Sequence, residues 1–145
     1  MTKFTIIIAC CVLALVNLCI ARPDKDEMKE KLVTMTKECQ IEVGASDSDI
    51  EDMANRKPAA GKEGKCLRAC VMKKLGMMDA NGKFLLPTAL EFAKKCANGD
   101  NDKLQKVTAI IETCAALDFS SDACEAAEQY KSCFFEKTKD MKMVW

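Results

Sequence analysis

The sequence predicts an all-α protein, a six-helix, disulfide-bonded bundle. Three observations lead there. Apolar residues recur at intervals of three and four in segment after segment, the spacing that lines one face of a helix. No stretch alternates apolar and polar residues long enough to propose a sheet, and no internal repeat is found. Seven cysteines lie beyond residue 21, dense enough for cross-links to matter in one small domain.

The chain opens with Lys3 and an apolar run over residues 4–20, broken only by Thr5 and Asn17, and then reaches Ala21. A short basic start, an apolar core and a small residue at its end mark a secretory signal peptide. Residues 1–21 are therefore expected to be cleaved, and residues 22–145 to form one secreted, extracellular domain. A membrane anchor is the competing reading, but the charged residues that follow and the cleavage site at Ala21 weigh against it. Cleavage of 21 residues from 145 leaves 124, and it removes Lys3 and no acid, so 22 bases against 22 acids become 21 against 22. No basic field remains to attract nucleic acid.

The first helix runs from Asp24 to about Cys39, with Met28, Leu32, Met35 and Cys39 on one stripe and Gly44 as its stop. Ser46 or Ser48 can cap a short second helix whose apolar face is Ile50, Met53 and Ala54, with Asp47, Asp49, Glu51 and Asp52 favouring its positive end. Residues 57–64 are rich in Pro and Gly and form a loop. The third helix buries Cys66, Leu67, Cys70, Val71 and Leu75 and ends at Gly76. Residues 79–82 then make a turn. Pro87 suits the first position of a fourth helix, whose Leu90, Phe92, Ala93 and Cys96 face inward in part, closed by residues 98–100. Asn101 or Asp102 can cap a fifth, with Leu104, Val107, Ile111 and Cys114 in the cleanest helical period of the chain. Ser120 or Ser121 caps a sixth that runs to about Lys137. The chain ends on an apolar tail, Met141, Met143, Val144 and Trp145, that can fold back onto the body.

Cys66 and Cys70 share a helix face with their Cβ atoms roughly 5 to 6 Å apart, whereas a disulfide needs about 3.8 Å, so each should reach a distant partner. Cys124 and Cys133 stand on opposite sides of their helix, about 180° apart, and must bond in opposite directions. In an oxidising secretory route these thiols read as disulfides. A tetrathiolate zinc site is the alternative, and secretion together with the absence of histidine weighs against it. Spacing alone leaves the pairing open.

The chain has no histidine, which removes the Ser-His-Asp and Cys-His nucleophile systems and any histidine metal site. The carboxylates between Asp47 and Asp52 sit on a solvated helix start with no apolar wall to raise a pKa, and no Gly-rich phosphate loop exists. No catalysis, cofactor or metal is expected. What remains is apolar surface. Met28, Met35, Met53, Met72, Met77, Met78, Met141 and Met143 join Leu, Ile and Phe on several helix faces. Each alone reads as ordinary core. Together they suit an interior that must fit several apolar shapes, because methionine is flexible and specifies a unique packing poorly.

The cysteine series Cys39, 26 residues, Cys66, three residues, Cys70, 43 residues, Cys114, nine residues, Cys124, eight residues, Cys133 resembles the insect odorant-binding proteins of the pheromone-binding and general odorant-binding type. The stretch from Cys66 through Leu75, Gly76, Met77, Met78 and Asp79 to Gly82 is similar to that family as well. The resemblance covers essentially the whole chain. It implies six helices around an apolar ligand cavity, with Cys39 paired to Cys70, Cys66 to Cys124, and Cys114 to Cys133. It implies a carrier of small hydrophobic volatiles or related lipids in sensory lymph or other secretions. The expected partners are a small apolar ligand and, at delivery, a sensory receptor or membrane surface, with the protein a monomer or weak homodimer.

Two features depart from the family's pattern. Cys96 is a seventh cysteine within the third gap, expected to lie buried as a small hydrophobe rather than to join two molecules. Without histidine, any pH-driven release must use Asp and Glu below about pH 5, so binding should be nearly flat from pH 7 to 6. From helix faces, the expected lining of the cavity is Met53, Leu75, Leu90, Ile111, Tyr130 and Phe134, with Trp145 as a wall on the returning tail and the Tyr130 hydroxyl offered to a ligand oxygen. A saposin-like, membrane-active lipid binder and a secreted helical signalling protein are the rival classes. The near-neutral charge and the cysteine gaps argue against the first, and the second would need no cavity.

Overall fold

The computed structural model describes residues 25–139. The proposed signal peptide and the tail carrying Trp145 lie outside the described residues. Six helices follow in order among these residues: α1 Lys25–Val43, α2 Asp47–Ala54, α3 Lys62–Lys74, α4 Leu86–Ala97, α5 Asn101–Ala115 and α6 Ala123–Thr138. No strand occurs among them, only one isolated antiparallel bridge between Met78 and Phe84. The chain divides into two units, Met1–Val33 and Thr34–Trp145. Within the described part of the first, Lys31 and Glu27 form an exposed ion pair at 2.8 Å, one turn apart on α1.

The second unit shows why the helices start and stop where they do. Ser46 caps α2: its Oγ accepts the Asp49 N–H at 3.2 Å while Asp49 Oδ2 accepts the Ser46 N–H at 2.8 Å, a reciprocal capping box. At the end of α3 the Gly76 N–H donates to the Lys73 carbonyl and the Met77 N–H to the Met72 carbonyl, a Schellman close that turns Met77 back onto the core. Three local expectations are corrected. Pro87 is the second residue of α4, not the first, because Leu86 already adopts helical geometry. Asp100 caps α5 in place of Asn101 or Asp102, its Oδ1 accepting the Lys103 N–H at 3.0 Å. Asp122 caps α6 in place of a serine, accepting the Glu125 N–H at 3.0 Å, while the Ser120 Oγ holds the Asp122 N–H itself. In both cases neighbouring residues carry equally suitable capping side chains, and the backbone geometry selects the aspartate, whose charge joins the helix dipole favourably.

Helix α3 packs on α6 and on α2, and α5 packs on both α4 and α6. The main apolar cluster gathers Ala69, Met72, Met77, Met78, Ala89, Ala93, Val107, Ile111, Cys114, Ala126, Ala127, Tyr130 and Phe134. A smaller one forms around Cys39, Leu67 and Val71. Three disulfides cross-tie these elements: Cys39 to Cys70 joins α1 to α3, Cys66 to Cys124 joins α3 to α6, and Cys114 to Cys133 joins α5 to α6. Their sequence separations of 31, 58 and 19 residues close sizeable loops of the unfolded chain. Each is worth about 3 to 4 kcal/mol on the chain-entropy view. Helix α3 takes part in two of the three and is the hub. Its Leu67 and Val71 are buried as its apolar stripe requires, whereas Cys66, Cys70 and Leu75 are only half-buried.

Candidate functional site

The apolar face of α6 carries Ala126, Ala127, Tyr130 and Phe134 inward, at spacings of one, three and four. The two small residues let α3 approach, and the two rings fill the space beyond. Tyr130 is the centre of an aromatic group. Phe84 stacks on it with ring centroids 4.2 Å apart, Phe134 lies at 6.2 Å and Phe119 at 6.4 Å. Burial pushes the Tyr130 hydroxyl well above its ordinary pKa, so it stays a neutral donor and acceptor throughout the physiological range.

Phe84 reaches Tyr130 from a segment that is not helical. Asp79 organises it, its Oδ1 accepting both the Asn81 and the Lys83 N–H at 2.9 Å while its own N–H donates to the Lys83 carbonyl at 2.8 Å. This is an Asx-type turn, and the Leu85 N–H to Met77 carbonyl bond at 2.7 Å fastens its far end. Phe119 comes from the connection between α5 and α6, where the Gln129 side chain accepts the Ser120 N–H at 2.8 Å. Two loops thus lay rings over one helix.

The residues expected to line a cavity divide between the clusters. Ile111, Tyr130 and Phe134 are buried in the main one and Leu90 packs on its margin. Met53 packs on the smaller cluster, and Leu75 touches both, so it is the link between them. Trp145 lies outside the described residues. Phe84, Phe119 and Phe135 were not anticipated. Met72, one of the methionines expected in the interior, is fully buried at the heart of α3. Phe84 and Phe119 sit on loops, where no periodicity reports which way a ring faces. The turn residues from Asp79 to Gly82 were the available signal that Phe84 would be returned to the body.

Nothing in this group is arranged for acid–base or nucleophilic chemistry. One trio has the spacing of metal ligands among the described residues, Cys39, Glu42 and Cys70, but its two sulfurs are bonded to each other and offer no thiolate. Among the described residues no helix is long and apolar enough to cross a membrane.

Residues 21–137 match the PBP/GOBP family. The chain belongs to the PBP/GOBP family. General odorant-binding protein 28a of Drosophila melanogaster is 44% identical over 116 residues, covering 80% of this chain and 81% of that one. General odorant-binding protein 19d of the same fly is 34% identical over 120 residues, covering 83% and 80%. The solved structure of the Drosophila odorant-binding protein 28a superposes with a TM-score of 0.74 at 42% identity, covering 83% of this chain and all of that one. PBP/GOBP membership explains the three-disulfide, all-helical architecture, and the family is one of binding proteins rather than enzymes. In this PBP/GOBP chain Cys96 stands outside the three disulfides, half-buried on α4, where burial raises its thiol pKa and Lys103 opposes the rise.

Proposed function

We propose that this protein is a secreted carrier that binds and solubilises small hydrophobic molecules, odorants, pheromones or related lipids, in extracellular fluid. The observation that carries this reading is the aromatic and methionine-rich interior around Tyr130, pinned by three disulfides, in a chain whose named relatives are odorant-binding proteins. The cross-links offset packing lost around a guest, since a cavity costs several kcal/mol and three disulfides supply about 2 to 4 kcal/mol each. An apolar guest burying on the order of 300 Å² gains about 7.5 kcal/mol before the costs of association, which points to micromolar affinity, suited to uptake and release.

The guest sits against Leu75, Leu90, Ile111, Tyr130 and Phe134, with Met53 extending the wall. Residues 1–21 direct secretion and are removed. The protein works as a monomer or weak homodimer that hands its cargo to a receptor or membrane surface. The test is equilibrium displacement of a fluorescent apolar probe by small volatiles. Competitive displacement in the micromolar range supports the carrier. Leakage of lipid vesicles without probe displacement would support the saposin-like alternative, and inertness in both assays a signalling protein.

A further inference from the structure

Two of the rings around Tyr130 come from loops, and the two loops are fastened very differently. The segment that carries Phe84 is held by backbone bonds from the Asp79, Gly82 and Leu85 N–H groups and by the Asp79 carboxylate. The connection that carries Phe119 has no such ladder. Among the described residues no backbone–backbone hydrogen bond involves residues 118–121. The Ser120 Oγ accepts the Asp122 N–H at 3.1 Å, a bond within the connection itself. The bond that ties this connection to the side of a helix runs from the Ser120 N–H to Gln129 Oε1, at 2.8 Å.

Gln129 and Tyr130 are neighbours on α6, so their side chains leave the helix about 100° apart. Tyr130 points inward and is 4% exposed, whereas Gln129 is exposed. The connection crosses both, with Phe119 against Tyr130 and the next residue bonded to Gln129. The Phe119 ring centroid lies 6.3 Å from that of Phe84 and 6.4 Å from that of Tyr130, while those two rings stack at 4.2 Å. Near-equal distances put Phe119 beside the stacked pair rather than on top of it. Phe119 is half-buried and packs on the margin of the main cluster, so it forms an outer wall beside Tyr130. Segments with few buried backbone bonds open at low free energy, and this wall is the part of the aromatic group that yields most readily.

We propose that Gln129 is a positioning residue: by holding the Ser120 N–H it sets Phe119 as a movable side wall, and so limits how wide a guest fits beside Tyr130. A slender chain lies along the wall and leaves the bond intact. A wider guest pushes Phe119 outward, and the Gln129 bond is lost as the connection follows. The proposal rests on the carrier reading and adds to it the residue that limits guest width.

The test uses the mature, disulfide-intact protein with dodecanol and cyclododecanol, which share carbon number and hydroxyl and differ in width. Both are followed by displacement of an apolar fluorescent probe at pH 7. Gln129→Leu removes the acceptor at an exposed position. It should tighten cyclododecanol about fivefold, the weight of one neutral hydrogen bond, and leave dodecanol within about twofold of the wild type, which also reports that the variant is folded. Gln129→Glu keeps an acceptor of the same reach and should bring no gain. In a Phe119→Ala background, Gln129→Leu should change the ratio of the two affinities by less than about twofold, because the wall it positions is gone. A ratio unchanged or shifted toward dodecanol in Gln129→Leu would overturn the proposal while the carrier reading stands. So would an equal gain in Gln129→Glu, or a full gain in the Phe119→Ala background. Failure of both alcohols to displace the probe from the wild type overturns both readings.

Discussion

Gly82 and Ala123 approach so closely that no side chain fits between them: a Cβ on Gly82 would stand 2.7 Å from the Ala123 Cβ and 2.9 Å from its Cα. The contact presses the turn after α3 onto the first residue of α6, and through that turn it holds Phe84 on Tyr130. Gly82→Ala meets both this clash and a φ of +82, which residues with a Cβ adopt at a cost. We expect a loss of about 2 to 4 kcal/mol, with weakened probe binding as Phe84 is displaced. Gly99→Ala is the control, since its φ of +84 is equally unfavourable but nothing lies within 4 Å of the added methyl. It should cost only about 1 to 2 kcal/mol and leave binding unchanged. Thermal denaturation and probe titration of both variants check this, and equal losses would show that the Ala123 contact is unimportant.

Glu128 is the counter-charge of a buried guanidinium and the acceptor for the Ala59 N–H. Removing it leaves Arg68 buried with its charge uncompensated. Glu128→Ala should therefore cost about 3 to 5 kcal/mol in chemical denaturation with the disulfides intact. The double replacement Arg68→Met and Glu128→Leu should cost clearly less, because neither charge is then stranded. Additive losses would contradict the coupling.

How much of this was legible before the fold was known depends on the range of the interaction that decides each feature. The helices of the second unit follow from local periodicity, as Leu104, Val107, Ile111 and Cys114 illustrate, and Ser46 announces α2 because its capping partner Asp49 is three residues away. The cysteine gaps carried the family. The caps of α5 and α6 were misplaced by one residue because Asp100 and Asp122 compete with equally suitable neighbours, and only backbone geometry chooses. Arg68 was invisible for a different reason. A charged residue on an amphipathic helix reads as solvated, and nothing near it in sequence reveals that Glu128, 60 residues on, makes its burial tolerable. Phe84 and Phe119 were missed because a loop has no face. Of the residues expected to line a site, Ile111, Tyr130 and Phe134 fell together in the main cluster, and Met53 joined the smaller one because α2 packs on α3 beside Leu67 and Val71.

Cys96 combines half-burial with a thiol whose pKa is raised, first by desolvation and only partly offset by Lys103. A thiol held in its protonated form is a poor nucleophile. We expect it to react with a thiol reagent at pH 8 at least about tenfold more slowly in the native protein than in denaturant. Non-reducing electrophoresis should show the monomer. A predominant disulfide dimer would mean that Cys96 is an intermolecular link.

Lys131 makes stability depend on pH in an unusual direction. Its ammonium is pushed down to about 8 in the folded protein, below the ordinary lysine value of 10.5. Above the ordinary value neither folded nor unfolded chain holds the proton. As pH falls through that value the unfolded chain takes it up and the folded chain does not, so unfolding is favoured progressively until about pH 8, below which both are charged and the penalty is constant. Between pH 8 and 9.5 stability should therefore rise with pH, by about 1 to 2 kcal/mol once the partial exposure of the side chain is allowed for. The interval stays below the ordinary tyrosine value near 10, where the raised pKa of buried Tyr130 begins to act in the opposite sense. Lys131→Met removes the titrating group and should abolish the rise. Denaturant midpoints at pH 8.0 and 9.5 for both proteins decide the matter, and a wild-type stability that falls over this interval, or a rise that survives in Lys131→Met, would place the Lys131 amine in water rather than beside Arg68.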